Sequence, residues 1–186
     1  MSILKFDSVR CTGCHACYSV CPTSAITMKR SEDGFLFPHI SSALCVNCGM
    51  CEKVCYMGKE ITNTIPDENI KCYSGYATDI NIIKSSSSGG MFYLLSQKIL
   101  KQGGVVFGAI YDEQHCEIKH ASTDSVAIEK LMKSKYVQSN IGDTYHEVHE
   151  ALSAGRNVLF TGTPCQVRGL KNYLQVKNSG GYFNYR

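Results

Sequence analysis

CTGCHACYSVC at residues 11–21 and CVNCGMCEKVC at residues 45–55 share one cysteine spacing, C-x2-C-x2-C-x3-C. Each cysteine of the first segment recurs 34 positions later in the second, and Val20 recurs as Val54. A match this regular indicates an internal duplication. The two segments together hold eight of the eleven cysteines in the chain.

This spacing is typical of the loops that hold [4Fe-4S] clusters in bacterial two-cluster ferredoxins. Three thiolates two residues apart can meet on one cluster from a loop, and we expect the fourth cysteine to begin a helix and point away. Because that fourth ligand serves the other cluster in two-cluster ferredoxins, the sequence predicts crossed ligand sets. The first set is Cys11, Cys14, Cys17 and Cys55, and the second set is Cys45, Cys48, Cys51 and Cys21.

Two other kinds of site also use several cysteines. Structural zinc sites pair separated C-x2-C units and do not require a third cysteine two residues further on. A disulfide framework needs an oxidising compartment, and eight cysteines at this spacing would be an unusual way to build one. The spacing therefore favours two [4Fe-4S] clusters over zinc and over disulfides.

The composition is that of a globular protein, with 186 residues, 44% hydrophobic residues and four prolines. No signal-peptide pattern is present, and the longest strongly apolar stretch, Val105 to Tyr111, is too short to span a bilayer. The formal charge is +3, but each cluster with four thiolates carries roughly −2, which leaves the loaded chain near −1. We therefore expect a soluble, cytoplasmic protein without membrane insertion and without a nucleic-acid partner.

Local patterns predict the secondary structure of the first third of the chain. Residues 1–10 could form a short edge strand. Ala25–Met28 and Phe35–Phe37, on either side of Asp33-Gly34, predict a hairpin between the two cysteine segments. The polar, turn-rich stretch from Thr62 to Asn69 predicts a domain boundary.

The remainder alternates between strand-like and helix-like patterns, which argues for an α/β layer. The predicted elements are a strand over Cys72–Ala77, a helix with Met91, Leu94, Leu95 and Ile99 on one face, a buried strand over Val105–Ile110, a strand near Cys116–His120, a helix with Ile128, Leu131 and Met132, a helix opened by a capping box over Thr144–Glu147, a strand over Val158–Phe160 and a helix over Val167–Leu174. We expect Cys72 and Cys116 to be buried thiols, and His146 and His149 to lie on a solvated helix face.

Three stretches in this part could carry chemistry. Ser85–Gly90 combines hydroxyls, permissive glycines and the start of a helix, which together favour an anion site, although a serine and glycine tract can also be a flexible loop. Ser134–Ser139 mixes a cation, an aromatic ring and an amide, and could equally be an edge strand. Thr161–Gln166 follows a strand and precedes a helix, where α/β sheets bind ligands. Its Cys165 could instead be a small buried apolar residue.

A two-cluster domain followed by SSSSGGMFYLL, SKYVQS and LFTGTPCQVRGLKNYL resembles the N-terminal portion of the coenzyme F-420 hydrogenase/dehydrogenase beta-subunit family, over nearly all of residues 5–175. The resemblance implies an iron–sulfur flavoprotein that passes electrons between clusters, FAD and a redox partner protein or a small redox cofactor such as a deazaflavin. It also implies that Cys165 belongs to a further cluster near the flavin. The implied FAD-contacting residues are Ser87, Ser88, Gly89, Gly90, Lys135, Tyr136, Gln138 and Ser139.

We therefore expect an α+β ferredoxin-like two-cluster domain at residues 1–62, a linker at 63–70 and a partial α/β flavin-binding domain at 71–186. Family members continue well beyond the Gly-Thr-Pro-Cys loop, whereas this chain stops at Arg186, so we expect the catalytic domain to be truncated. The alternative function is a non-enzymatic, ferredoxin-like electron carrier or docking subunit without bound flavin. No residue is identified as a catalytic acid, base or nucleophile.

Overall fold

The computed structural model describes residues 10–57 and 71–178. The elements in these residues are α1 Ala16–Val20, β1 Ile26–Arg30, β2 Leu36–Ile40, α2 Met50–Val54, α3 Ile80–Ser85, α4 Met91–Lys101, β3 Val105–Asp112, β4 Glu117–Ser122, α5 Ile128–Leu131, α6 Thr144–Ser153, β5 Val158–Phe160 and α7 Pro164–Lys177. None of the described helices is long and apolar enough to cross a bilayer. The predicted edge strand at residues 1–10 lies almost wholly outside the described residues.

The described residues divide into two compact units. The first unit contains residues 10–57, 140–149 and 162–178, and the second contains residues 71–139 and 150–161. The predicted linker at 63–70 lies outside the described residues. The units do not follow a single boundary along the chain, because α7 packs on α1 and α2 in the first unit.

The backbone of the first unit confirms the internal duplication. α1 and α2 each have five residues and begin 34 positions apart. The loop before α1 has positive φ angles at Gly13 and His15, and the loop before α2 has them at the equivalent positions, Asn47 and Gly49. The duplicated sequence therefore folds into a duplicated loop and helix.

The predicted hairpin between the repeats is also confirmed. β1 and β2 pair antiparallel, with Ile26 opposite Ile40 and Arg30 opposite Leu36. Gly34 has a φ of 85° and supports the turn, where the backbone N–H of Ser31 donates to the carbonyl of Phe35 at 2.8 Å. The hairpin buries Ile26 and Leu36, so it contributes apolar side chains to the core of this unit.

The second unit is built on a three-stranded mixed sheet of order β4-β3-β5, which confirms mixed α/β content. β3 is antiparallel to β4 and parallel to β5. Its core contains Val106, Ile110 and Leu131. The three elements predicted from Val105 to Met132 correspond to β3, β4 and α5 with shifts of a few residues at their ends, and the strand predicted over Val158–Phe160 is β5.

The apolar face predicted for α4, with Met91, Leu94, Leu95 and Ile99, is only partly buried. Met91, Leu94 and Leu95 are between 38% and 49% exposed, whereas Phe92, Ile99 and Leu100 pack against the core. α4 is apolar on two faces, so periodicity alone could not select between them. The buried face includes the fully buried Ser96, whose hydroxyl donates to the Phe92 carbonyl at 2.7 Å. That internal hydrogen bond satisfies the hydroxyl within the helix.

Three other local predictions were wrong. Cys72–Ala77 does not form a strand: Tyr73 and Tyr76 point to solvent, and Ala77 donates a backbone hydrogen bond to Gly89 in a loop. Cys72 and Cys116 are exposed rather than buried. Thr144 is the first residue of α6 rather than its N-cap. The backbone N–H of Glu147 donates to the carbonyl of Asp143, so the first helical hydrogen bond begins one residue before Thr144. The described chain instead has a capping box at α7, formed by Thr163 and Gln166.

Gly104 should be the glycine of the second unit that is least tolerant of alanine. An added Cβ would lie 2.5 Å from the Asn157 carbonyl oxygen and 2.6 Å from Ile99 Cγ2. We expect Gly104→Ala to cost about 3 kcal/mol through overpacking. Gly103→Ala is the matched control: its Cβ would meet nothing within 4 Å, so only the left-handed backbone opposes it, at about 1 kcal/mol. Thermal unfolding followed by circular dichroism checks this order, and equal losses would contradict it.

Candidate metal centre

Four thiols from both repeats come together in the first unit. Cys11, Cys14 and Cys17 of the first repeat interact electrostatically with one another and with Cys55 of the second. This is the group that the sequence predicted as the first ligand set. The fourth member comes from the opposite repeat, as crossed sets require, and the assignment of these thiols to one cluster stays a prediction.

Burial is the main influence on the thiols of this first set. It raises the pKa of Cys14 to about 11 and raises the pKa values of Cys11 and Cys17 as well. Backbone hydrogen bonds at Gly13, Ala16 and Tyr18 act in the opposite direction. Burial disfavours free thiolates, so the positive charge of bound iron is what would stabilise them in this position.

The second predicted set lies around a cleft. Cys21, Cys45, Cys48 and Cys51 line a cavity of about 390 Å³, part of which is open to solvent. Ile26 and Ile40 of the hairpin form part of its apolar wall. Cys48 is exposed, whereas the other three cysteines are half-buried. The second set is therefore more open to water than the first.

The environment of Cys21 suits a thiolate. Burial alone would raise the pKa of Cys21, but hydrogen bonds from Thr23, Ala25 and Ile26 outweigh it and lower that pKa. The backbone N–H of Ala25 donates to the Cys21 sulfur at 3.3 Å. Hydrogen bonds of this kind stabilise the charged form of a metal ligand and tune the bound group.

The fourth cysteine of each repeat follows its helix and does not begin it, which corrects the sequence prediction. Cys21 comes directly after α1 and Cys55 directly after α2, both with extended backbone. Cys17 and Cys51 lie inside these helices. Because five helical residues advance the chain by roughly 7 Å, the fourth thiol emerges away from the three before it. That displacement is why it can join the other set.

Cys165 lies beside the first set. It is half-buried near the start of α7, its sulfur is 3.0 Å from the Thr163 hydroxyl, and it interacts electrostatically with Cys14 and Tyr56. Within residues 10–57 and 71–178, no three Cys, His, Asp or Glu side chains are grouped so as to hold a single metal ion. The membership of Cys165 in a further cluster stays a prediction. All eleven cysteines are free thiols in this structure.

His146 and His149 have partners in the first unit and are not simply solvated. Both are half-buried. His146 Nδ1 is 3.0 Å from the Tyr173 hydroxyl, and His149 Nε2 is 3.3 Å from the Asn178 side-chain oxygen. These hydrogen bonds join α6 to α7, so the two histidines have a structural role.

The second unit brings together two of the stretches predicted to contact FAD. The Ser87 hydroxyl accepts a hydrogen bond from the backbone N–H of Ser134 at 2.8 Å. Lys135 donates to the carbonyls of Lys130 and Met132, and burial lowers the pKa of its amine. The remaining predicted residues range from the exposed Ser88 and Tyr136, through the half-buried Gln138, to the buried Ser139.

Gly89 and Gly90 have packing reasons to be glycine. A Cβ at Gly89 would lie 2.9 Å from the Gly75 carbonyl oxygen. Gly90 caps α4 with a φ of 81°, and its Cβ would lie 2.8 Å from Ile82 Cγ2. Packing alone therefore accounts for both glycines, whether or not an anion binds at the start of α4.

Residues 10–59 match the family model of the 4Fe-4S dicluster domain. No curated protein and no solved structure matches the chain. All eight cysteines of the two repeats lie within the matched range. The N-terminal region is therefore an iron–sulfur domain of the electron-transfer type, and the match does not extend to the residues predicted to contact FAD.

Paired cysteine substitutions distinguish crossed from sequential ligand sets. If the sets are crossed, Cys14 and Cys55 hold the same cluster, so the double variant Cys14→Ser/Cys55→Ser should keep about four of about eight irons. Cys14→Ser/Cys21→Ser should lose nearly all of them, because it damages both sets. Iron and acid-labile sulfide analysis of anaerobically purified protein measures this.

Cys72→Ser is the control for these variants, because Cys72 is exposed and belongs to neither set. It should keep the full iron content. The reverse pattern in the double variants, with iron lost from Cys14→Ser/Cys55→Ser and half retained in Cys14→Ser/Cys21→Ser, would mean that each repeat holds its own cluster.

Proposed function

We propose that this chain transfers electrons through two [4Fe-4S] clusters, one held by Cys11, Cys14, Cys17 and Cys55 and the other by Cys21, Cys45, Cys48 and Cys51. The observation that carries the proposal is the meeting of Cys55 with three thiols of the other repeat. Crossed ligands favour two clusters held close together, as a relay needs. All eight thiols lie in the residues that match the 4Fe-4S dicluster domain, and this match supports [4Fe-4S] clusters as the cofactor.

The residues around the cysteines bind the clusters and limit their contact with water. Val20 and Val54, at the ends of α1 and α2, are fully buried, and the hairpin adds Ile26 to the wall of the second set. Backbone N–H donors near Cys14 and Cys21 stabilise the ligand charge. When bound, such clusters take up and release single electrons at a potential set by burial and hydrogen bonding.

We further propose that the second unit binds FAD, in the manner of coenzyme F-420 hydrogenase/dehydrogenase beta subunits. The support is the hydrogen bond between Ser87 and Ser134, which joins the two stretches that the family resemblance assigns to the flavin. The exposed Ser88 lies two residues before the N-cap of α4, where a diphosphate would find backbone N–H groups. The electron partner would be a redox protein or a small redox cofactor.

One observation favours a carrier or docking subunit without flavin instead. Gly89 and Gly90 are explained by packing against Gly75 and Ile82, so the Ser-Gly tract does not require a ligand. Iron, acid-labile sulfide and flavin measured on one anaerobic preparation separate the two functions. About eight irons with one FAD supports the flavoprotein, and about eight irons without flavin supports the carrier.

A charge at residue 88 tests the flavin site without disturbing the glycines. Ser88→Asp places a carboxylate beside the proposed diphosphate position and should weaken FAD binding at least about tenfold through like-charge repulsion. Ser88→Asn has nearly the same size without the charge, and should bind within about threefold of the unaltered protein. Quenching of FAD fluorescence on titration measures both affinities.

Equal affinities for the Asp and Asn variants would place the diphosphate elsewhere. Both variants should retain full iron content, since Ser88 belongs to the second unit and the cysteine sets belong to the first.

A further inference from the structure

Tyr145 connects the loop of the first ligand set to α7. It lies in the first turn of α6 and is 0% exposed. Its hydroxyl oxygen is 2.8 Å from the carbonyl oxygen of Cys14 and 2.8 Å from that of Gln166. A tyrosine hydroxyl carries one proton, so it is shared between these two acceptors. Tyr145 is thus the donor at the point where three segments of the first unit meet.

Gly169 brings the backbone of α7 against the same cysteine. An added Cβ at this position would lie 3.0 Å from the Tyr145 hydroxyl, 3.2 Å from the Cys14 sulfur and 3.3 Å from the Cys14 carbonyl oxygen. Gly169 is fully inside α7 and buried. A side chain here would force α7 and the Cys14 loop apart by a few tenths of an ångström, so glycine permits the closest approach.

The Tyr145 hydroxyl is the donor in its contacts with the Cys14 and Gln166 carbonyls. Tyr145 is 0% exposed, so the hydroxyl donates within the packed interior of the first unit. Without that donor, the Cys14 carbonyl oxygen would draw water into the contact.

We propose that Tyr145 is a positioning residue for the first cluster: it holds α7 over Cys14 and thereby keeps the reduction potential of that cluster lower than it would be in contact with water. The inference rests on the proposed electron-transfer function. A reduced cluster carries one more negative charge than an oxidised one, and dry surroundings disfavour that charge. The second set, beside its open cleft, has no matching cover among its lining residues.

Tyr145→Phe and Tyr173→Phe form a matched pair for the test. Both tyrosines are buried in the first unit, with ring centroids 5.9 Å apart. The Tyr173 hydroxyl bonds to His146, away from the cysteines. Each substitution removes one buried hydroxyl and keeps the ring, so the losses of stability should be similar while the effects on the clusters differ.

The measurement is a redox titration of each iron-loaded protein, followed by EPR spectroscopy, with iron content determined on the same samples. In Tyr145→Phe, one of the two midpoint potentials should shift to a more positive value and the other should stay unchanged. Tyr173→Phe should shift neither. Gly169→Ala, which crowds the contact between α7 and Cys14, should move the same midpoint in the same direction. If Tyr145→Phe loses half of its iron and Tyr173→Phe keeps all of it, that result supports the same role.

Three results would overturn the inference: no shift in Tyr145→Phe, equal shifts of both midpoints, or the same shift in Tyr173→Phe. Loss of all iron from Tyr145→Phe would likewise reduce Tyr145 to a general structural residue. Unaltered protein that contains no iron would instead refute the proposed function.

Discussion

Four thiols from two separate repeats must meet in one place, and the rest of the first unit is arranged around that requirement. The chain achieves it with the same backbone twice. Two residues in the left-handed region bend each loop, a five-residue helix follows, and the fourth cysteine leaves that helix extended. Glycine takes two of the four left-handed positions, and His15 and Asn47 take the others. Asn adopts this region readily, whereas His15 does so at a cost of about 1 kcal/mol. Strained positions of this kind are typical of binding sites.

The duplication is complete in the backbone but not in the surroundings. The first set is covered, because α7 lies against Cys14, fixed by Gly169 and by the Tyr145 hydroxyl. The second set opens into a cleft that includes the exposed Cys48. Two clusters with the same ligands can therefore differ in potential through hydration alone. The difference in cover originates outside the repeats, because it comes from α7 and Tyr145.

Sequence reasoning succeeded where residue spacing carries the signal and failed where the same spacing fits more than one arrangement. Cysteine spacing predicted the duplication and the meeting of Cys55 with the first repeat, and the Asp33-Gly34 turn predicted the hairpin. Spacing could not show whether Cys21 begins or ends a helix, because both arrangements have the same intervals. Likewise, the sequence of α7 is typical of a further helix in an α/β layer. The packing of α7 on α1 and α2 depends on contacts at Gly169 and Tyr145, which the helical pattern does not indicate. The capping box of α7 could have been predicted from the sequence Thr163-Pro-Cys-Gln166.

The EPR spectrum of the anaerobically purified, dithionite-reduced protein tests most directly whether two clusters share crossed ligands in the first unit. Crossed sets hold the two reduced clusters close together, so their unpaired electrons should interact. The predicted result is a broadened signal that loses this broadening when Cys14→Ser removes one cluster. Two sharp, independent signals would contradict crossed sets, and a colourless protein without an iron signal would contradict the iron–sulfur assignment altogether.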